Sequence, residues 1–442
     1  MDFVRPPAFQ TETSSAFRIA VLVIVHIIFA IWLKYIVARL PLGTLRVVAV
    51  LPFLAVDVVC PCFFDKDTEP LQVFCLIFIL TWHCTFKVLA FCWGRAPLRE
   101  SMTVAQIAAT LSLPLFPKPL SRTKSGPEGR LQDSAGSGAA LAVRLLGKLA
   151  LTVLVVLLYE QYRETMPLVL KHYVLAFVIY AMSGIIMDGP AAVVVEALGL
   201  EVLPTFDQPW MSASLSEFWG RRWNIPTTSI LRTVVYDTFA EGCLISPASR
   251  AASGTGGPSR ASVALTAAAN GTRSQQAAGF TSTESDSQNA SAQQQQQQKG
   301  IVQQQQKQPR PSLLRRQLGL NAAFFVSGVF HEHMAWLLTG SNKLGWKWTF
   351  FFWVQAPLMS LEALGSRLLR RAGVQLPRPL TILLTHVVLQ ALALDLFFGH
   401  MEEQGVSQKI VLAIARCIHA ARRPLQSAAV DWLEAAGLLT SS

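Results

Sequence analysis

The sequence predicts an all-α bundle of about seven to nine membrane-spanning helices, and two observations lead to this fold class. Hydrophobic residues make up 52% of the 442 residues and charged residues only 15%, whereas a soluble domain usually carries about a quarter charged residues. The apolar residues also form long blocks, such as the nearly continuous run from Phe17 to Leu40. About 20 apolar residues are enough to cross the hydrocarbon core, so we expect this run to be the first span.

Further apolar blocks follow along the chain, near 44–60, 71–93, 141–159, 168–187, 320–339, 348–366, 379–399 and 407–420. The loops between them alternate in charge: Arg39 and Arg46 follow the first block, whereas the acidic run Asp65 to Glu69 follows the second. Positive residues should face the cytosol. We therefore expect the N-terminus to face the lumen and the segment 188–226 to face the cytosol.

The net charge of +11 does not indicate a nucleic-acid-binding protein. The basic residues lie in loops between apolar blocks and form no recognition helix or aromatic-interleaved patch. The seven cysteines show no spacing typical of a zinc site or a disulfide framework. We expect membrane lipids as partners, no nucleic acid, and cysteines that pack as small hydrophobic side chains.

One segment interrupts the pattern of apolar blocks. Residues 246–311 are rich in Ser, Ala, Gly and Gln and carry almost no large apolar residues. Such a segment cannot offset the entropy of ordering, so we expect it to be disordered. It divides the chain into a front half, 1–245, and a back half, 312–442.

The first candidate site is the segment from Phe206 to Asn224, which we call the arginine segment. It contains Trp210, Trp219 and Trp223 as well as Arg221 and Arg222. One interpretation is an interfacial helix with its Trp residues at headgroup level and its Arg residues reaching towards water. The functional interpretation is that the two guanidinium groups meet a phosphate-rich donor arriving from the cytosol.

The second candidate site lies in the apolar block from Leu320 to Gly340, which carries His331, Glu332 and His333. If the helix enters from the cytosol near Leu320, 11 residues at 1.5 Å each place His331 about 16 Å deep, near the middle of a core about 30 Å thick. A lone His is usually a packing residue. Ionisable residues at this depth are costly, however, and a His-Glu-His run there indicates a functional site.

Acid–base chemistry fits this run better than metal binding. His331 and His333 lie about 200° apart around a helix and point to opposite faces, whereas the zinc-protease pair is spaced i, i+4. We therefore expect no metal. A positioned His is the commonest base for removing a proton from an alcohol. Glu332 lies about 100° from His331 around the helix and is predicted to orient neighbouring helices or the donor. Gln355, in the next block, is predicted either to contact His331 or substrate or to form a helix–helix hydrogen bond.

Three stretches resemble a known family, and they read SLSEFWGRRWN, FFVSGVFHEHMAW and FWVQAPLMSLEAL, beginning at Ser214, Phe324 and Phe352. They are similar to the signature segment, the histidine span and the following helix of the wax synthases, within the membrane-bound O-acyltransferase superfamily. The histidine stretch is also similar to that of diacylglycerol and sterol acyltransferases. Two features depart from the family pattern: the long insert between the first two stretches, and a histidine at position 333.

The resemblance implies a bundle of the membrane-bound O-acyltransferase type, located in the endoplasmic reticulum, with acyl-CoA as co-substrate and no other cofactor. Carried across, the family's catalytic His falls on His331, its motif Asn on Asn224 and the following polar residue on Glu332. The substrate-binding residues are then predicted to be Arg221, Arg222, Trp219, Trp223 and Gln355.

The activity predicted from these observations is transfer of a fatty acyl group to a long-chain alcohol, which gives a wax ester. A sterol, a diacylglycerol or a terpenoid alcohol remains an alternative acceptor, because acceptor choice depends on the shape of the chamber. A proton-coupled membrane transporter is the alternative from another class, with the His-Glu-His run as a proton relay. The sequence leaves open whether the chain forms a homo-oligomer.

Overall fold

The computed structural model of the chain describes residues 3–4, 13–95, 97–118, 136–254, 311–342 and 345–435. Helices dominate these ranges, and the strands found in them are Phe3–Val4 and Ser341–Asn342, which form a short antiparallel pair. The predicted all-α class is therefore confirmed.

The helices are α1 (Ser15–Arg39), α2 (Thr44–Phe63), α3 (Pro70–Cys92), α4 (Val104–Ser112), α5 (Gly138–Tyr162), α6 (Leu168–Leu198), α7 (Leu215–Glu217), α8 (Ile225–Leu231), α9 (Asp237–Glu241), α10 (Pro247–Gly254), α11 (Leu313–Thr339), α12 (Lys347–Arg371), α13 (Arg378–Glu403) and α14 (Val406–Ala435). Of the predicted insert, 246–311, the structure describes only the first residues, in α10, and residue 311. Residues 255–310 lie outside the described part of the chain.

Within the described ranges, six helices are long and apolar enough to cross a membrane: α1, α2, α3, α5, α6 and α13. The chain is accordingly an integral membrane protein. Helices α11, α12 and α14 reach 25 to 30 residues but do not meet the same criterion of length and composition. The sequence predicts seven to nine spans because that count also includes the apolar blocks that lie in α11, α12 and α14.

Wide π-helical turns interrupt the bundle at Ile77–Cys84 in α3, Phe218–Arg222 after α7, Arg232–Tyr236 after α8 and Leu394–Gly399 in α13. Such turns are rare in helices and frequently occur at functional sites. Three of the four turns carry a side chain that lies beside the second candidate site, as described below.

The loops predicted to face the lumen meet at one end of the bundle. Arg18, at the start of α1, binds Glu69 in the loop before α3 at 2.7 Å. Asp67 in the same loop binds Lys409, in the first turns of α14, at 2.5 Å. This hydrogen bond, together with Lys66, lowers the pKa of Asp67 to about 2, so the carboxylate stays charged at any physiological pH.

The loops predicted to face the cytosol meet at the opposite end. Arg95, after α3, binds Glu241 at the end of α9 at 2.7 Å. Ser249 in α10 donates a hydrogen bond to the carbonyl of Gly94 at 2.6 Å. The alternation of loop charge along the sequence therefore corresponds to two separate ends of the folded bundle. Which end faces the cytosol stays a prediction.

Helices α5 and α6 form a tight pair that is joined by a buried charge cluster. Lys148 of α5 binds Asp188 of α6, and Thr205 donates to the second oxygen of the same carboxylate at 2.5 Å. The Lys148 ammonium also lies 5.4 Å from the ring centroids of Tyr180 and Phe206. Because Thr205 directly precedes the arginine segment and Phe206 is its first residue, this cluster fixes that segment to the bundle.

Helices α11 and α12 pack with their backbones in contact at Gly328. A Cβ atom added at this glycine would lie 2.5 Å from Cα of Thr349 and 2.9 Å from its carbonyl oxygen. A residue with a Cβ atom does not fit at this position without moving one helix. The close approach matters because Gly328 lies one turn before His331.

Replacing Gly328 with alanine is expected to force α11 and α12 apart, at a cost of about 1–3 kcal/mol. The matched control is Gly365→Ala in α12, where a Cβ atom would meet nothing within 4 Å. That change should be neutral or slightly stabilising, because alanine is the better helix former. The measurement is the monodisperse fraction that remains after heating detergent-solubilised protein. Equal thermal resistance of the two variants would contradict the contact at Thr349.

Candidate active site

His331 is held in α11 by a hydrogen bond that fixes its protonation pattern. Its Nδ1 lies 2.7 Å from the carbonyl oxygen of Ser327, one turn earlier. A carbonyl oxygen only accepts hydrogen bonds, so Nδ1 must carry the proton. In the neutral imidazole this leaves the lone pair on Nε2, which has no hydrogen-bond partner among the described residues. The ring therefore presents a proton acceptor.

Aromatic side chains from three helices surround the His331 ring. Phe352 of α12 stacks on it with a centroid separation of 4.2 Å. Trp82 of α3 and Trp348 of α12 contact it edge-on at 5.6 and 6.0 Å. Phe397, in the π turn of α13, lies at 6.4 Å. The residue as a whole is of intermediate exposure, and these rings form walls around its imidazole.

Glu332 turns away from His331 and caps α12. Residue Trp346, before the first turn of α12, provides no side-chain cap, although the first amides of a helix need acceptors. The Glu332 carboxylate accepts from the amides of Trp348 and Thr349 at 3.0 and 3.3 Å. A negative charge at a helix N-terminus is also favoured by the helix dipole.

The second oxygen of Glu332 reaches a third helix. It lies 3.3 Å from Nε2 of His400 in α13, and both side chains are almost fully buried. One carboxylate therefore joins α11, α12 and α13. The predicted catalytic role of Glu332 stays a prediction, and the geometry favours a positioning role.

The arginine segment folds as a short capped helix followed by a π turn. The hydroxyl of Ser214 accepts from the amide of Glu217 at 2.9 Å, and the Glu217 carboxylate accepts from the amide of Ala213 at 2.8 Å. Glu362 of α12 adds a second cap, because it accepts from the amide of Leu215 at 3.0 Å. The arginine segment is thus bound to α12, the helix whose Phe352 packs against His331.

Trp219 brings the arginine segment close to the histidine site. Its indole Nε1 donates to Gln355 of α12 at 3.1 Å, and its ring lies 5.6 Å from that of Phe352. Phe352 stacks on His331, so Trp219 and His331 contact the same aromatic side chain. Gln355 is fully buried and makes this interhelical bond with its carbonyl oxygen. Of the two roles predicted for Gln355, the structure places it in the helix–helix hydrogen bond.

The two arginines differ sharply in their surroundings. Arg222 binds the Glu217 carboxylate through Nε at 2.8 Å and donates to the Asp207 carbonyl at 2.9 Å. Burial would raise the pKa of Glu217, but the Ala213 amide and the Arg222 guanidinium hold it below its ordinary value. Arg221 is exposed and has no ion-pair partner among the described residues. Of the two, Arg221 is the one free to meet an anionic ligand.

Asn224 ends the arginine segment in a left-handed conformation, with φ of 40°, which Asn tolerates better than most residues. Its side-chain oxygen lies 3.4 Å from the amide of Thr227 and caps α8. Thr227 is also hydrogen-bonded to His83 of α3 at 2.9 Å, next to Trp82. The amide nitrogen of Asn224 has no partner among the described residues. Trp223 packs between Phe206 and Phe218.

Besides Glu332 and Gln355, the site is held together by residues that sequence reasoning did not single out. Glu362 and Phe352 lie inside a stretch that resembles the wax synthases, which is a signal for them in the sequence. Trp82, His83 and His400 lie in apolar blocks that show no motif. Their roles depend on which helices become neighbours, and no spacing within one block reveals that.

The sequence of this chain is similar to those of several curated O-acyltransferases. The chain is 27% identical over 212 residues to an acyl-CoA–sterol O-acyltransferase of Arabidopsis thaliana, with 48% of this chain and 59% of the relative covered. It is 30% identical over 212 residues to a probable long-chain-alcohol O-fatty-acyltransferase of the same plant, with 46% and 57% covered. It is 27% identical over 158 residues to the long-chain-alcohol O-fatty-acyltransferase of Simmondsia chinensis, with 36% and 44% covered.

The chain thus spans about half the length of the curated relatives it matches. No protein-family model matches it. The resemblance to the wax synthases, predicted from three stretches, is confirmed by these relatives.

The role of Glu332 can be separated into positioning and proton transfer by two substitutions. Glu332→Gln keeps an oxygen that accepts from Trp348 and Thr349, so the fold and most of the activity should persist. Glu332→Ala leaves two buried amides unpaired and should cost about 1–3 kcal/mol for each of them. The measurements are thermal stability in detergent and acyl transfer by the same preparation. A Gln variant of native stability without activity would contradict the positioning role.

Proposed function

We propose that this protein transfers a fatty acyl group from acyl-CoA to the hydroxyl of a long-chain alcohol and so produces a wax ester in the membrane. The observation that carries the proposal is the geometry of His331. Its Nδ1 proton is fixed by the Ser327 carbonyl, and its Nε2 has no partner among the described residues. A base of this kind, between aromatic walls, suits an alcohol that arrives from lipid.

In the proposed reaction, Nε2 of His331 accepts the hydroxyl proton while the alcohol oxygen attacks the thioester carbonyl. The side-chain amide of Asn224 donates to the oxyanion, and oxyanion donors of this kind contribute about 10²–10³ in rate. When the intermediate collapses, the C–S bond breaks and the CoA thiolate takes the proton back from His331. The ester stays in the lipid phase, and His331 regains its starting state.

The donor is proposed to approach from the cytosolic end, where Arg221 is free for its phosphates. Guanidinium groups bind phosphates well because their donors match the oxygens in pairs. The proposal includes a location in the endoplasmic reticulum. It needs no cofactor besides acyl-CoA, because a base and an oxyanion donor are sufficient for acyl transfer to an alcohol.

The acceptor is tested by competition. Membranes that contain the protein receive labelled acyl-CoA together with equal amounts of a long-chain alcohol, a sterol, a diacylglycerol and a terpenoid alcohol, and the labelled esters are separated by mass spectrometry. The sterol is the strongest competitor, since one relative is named a sterol O-acyltransferase. A predominance of wax ester supports the proposal. Release of CoA that does not depend on any alcohol would contradict acyl transfer.

His331→Ala should reduce ester formation to background while expression and membrane insertion remain near the wild-type level. The matched control is His333→Ala, since His333 lies on the same helix and its ring contacts Phe330 and Trp336 instead. The control should retain most of its activity. The measurement is labelled wax ester formed per unit of folded protein. Full activity of the His331 variant would contradict the mechanism.

The two arginines should respond differently to substitution. Arg221→Ala should raise KM for acyl-CoA at least tenfold with little change in stability, because a charge-assisted hydrogen bond is worth about 1.5–3 kcal/mol. Arg222→Ala should lower thermal stability, because it removes the closer of the two guanidinium partners of the Glu217 carboxylate, at 2.7 Å, and leaves only Arg378 at 3.5 Å. The measurements are KM, kcat and thermal stability for both variants. An unchanged KM in the Arg221 variant would remove this residue from the donor site.

A further inference from the structure

Three spans bring together side chains that are typical metal ligands. His26 lies in α1, Asp57 in α2 and Cys84 in α3, and all three are buried. One potential ligand atom from each lies within 4.8 Å of the other two. The residues are 31 and 27 positions apart in sequence. Only the packing of three spans creates this cluster, which is separate from the site around His331.

The His26 ring is oriented as in many metal sites. Its Nδ1 lies 2.8 Å from the carbonyl oxygen of Leu22, so Nδ1 carries a proton and Nε2 points into the cluster. A ligating His almost always donates its other N–H to a carbonyl or carboxylate in this way. Nε2 faces one carboxylate oxygen of Asp57 at 2.9 Å.

Asp57 has a carboxylate oxygen for which the described residues offer no N–H or O–H donor, although the Cys84 thiol lies beside this carboxylate. Its Oδ2 is buried and has no hydrogen-bond partner among the described residues, which is costly for a carboxylate in an apolar interior. The backbone of Asp57 is tied to α3, because its main-chain carbonyl accepts from Thr81 at 2.8 Å, and it also accepts from Cys60 at 3.4 Å. A buried carboxylate oxygen without an N–H or O–H donor, beside a thiol and an imidazole, points to a missing partner.

We propose that His26, Asp57 and Cys84 form a zinc site that joins the first three spans. Zinc binds combinations of imidazole, thiolate and carboxylate with four ligands, three of which are present here. On binding, Zn²⁺ displaces the thiol proton of Cys84 and the proton shared by His26 and Asp57. The bound cluster then holds two positive charges from the metal and two negative charges from Asp57 and Cys84. A cluster of zero net charge can remain buried among apolar helices.

A cleft reaches the His26 side of this cluster. A cleft of about 510 Å³ between α1, the start of α3 and α14 is lined by His26 together with apolar residues such as Leu22 and Leu80. A site inside the bundle needs such an entry path. The simpler alternative is an imidazolium–carboxylate pair with a bystander thiol, and it requires no metal. The proposal departs from the expectation of no metal because the ligands come from different spans.

The test uses the full-length protein purified in detergent, exposed to Zn²⁺ and then passed through a desalting column. Elemental analysis should find about one zinc per wild-type chain. His26→Ala and Cys84→Ser should bind less than a tenth of that amount. The matched control is Cys92→Ser, which replaces another buried cysteine of α3 outside the cluster and should retain its zinc. Zinc-free wild-type protein, or equal zinc in all variants, would overturn the proposal.

A second measurement covers the case in which a variant fails to fold. Wild-type protein exposed to Co²⁺ should show a thiolate-to-cobalt charge-transfer band and visible bands of a four-coordinate ion. The imidazolium–carboxylate alternative predicts neither. A cobalt spectrum without a thiolate band would overturn the assignment of Cys84. Both measurements are independent of acyl transfer, so they stand whatever the outcome for the proposed function.

Discussion

The buried carboxylate of Glu332 is the interaction on which the candidate site depends. It caps α12 from α11 and also contacts His400 of α13. A buried carboxylate is costly unless several donors satisfy it, and here it receives them from α12, which follows α11 in the chain, and faces His400 of the more distant α13. The same contact fixes the position of α12 relative to His331, because the two helices touch at Gly328 just one turn earlier. The placement of Phe352 against the imidazole follows from it.

Helix α12 in turn positions the arginine segment. Its Gln355 accepts from Trp219, and its Glu362 caps the turn that begins at Leu215. Two carboxylates thus act as helix caps in series, the first from α11 to α12 and the second from α12 to α7. Through them, two stretches that are separated by a long insert in the sequence become one site in the fold. The insert itself does not take part in any of these contacts within the described residues.

Much of this arrangement could be predicted from the sequence, and its limits have physical causes. The apolar blocks predict the helical bundle, and the cost of burying His331 singles it out. The pairing of Arg222 with Glu217 was not predicted, because a guanidinium suits a carboxylate as well as it suits a phosphate. The cap provided by Glu332 was also missed, since it requires knowledge of which helices are neighbours. The cluster of His26, Asp57 and Cys84 was missed for the same reason, because its three residues come from three separate spans.

The most direct test of the account is the tautomer of His331. Nitrogen-15 NMR of protein with labelled histidines in lipid bilayers, with the signal assigned by loss in His331→Ala, distinguishes the two ring nitrogens. The account predicts a neutral ring at neutral pH, protonated at Nδ1 and with an unprotonated Nε2. A ring protonated at Nε2, or a doubly protonated ring, would contradict the claim that His331 is held ready to accept a proton from an alcohol.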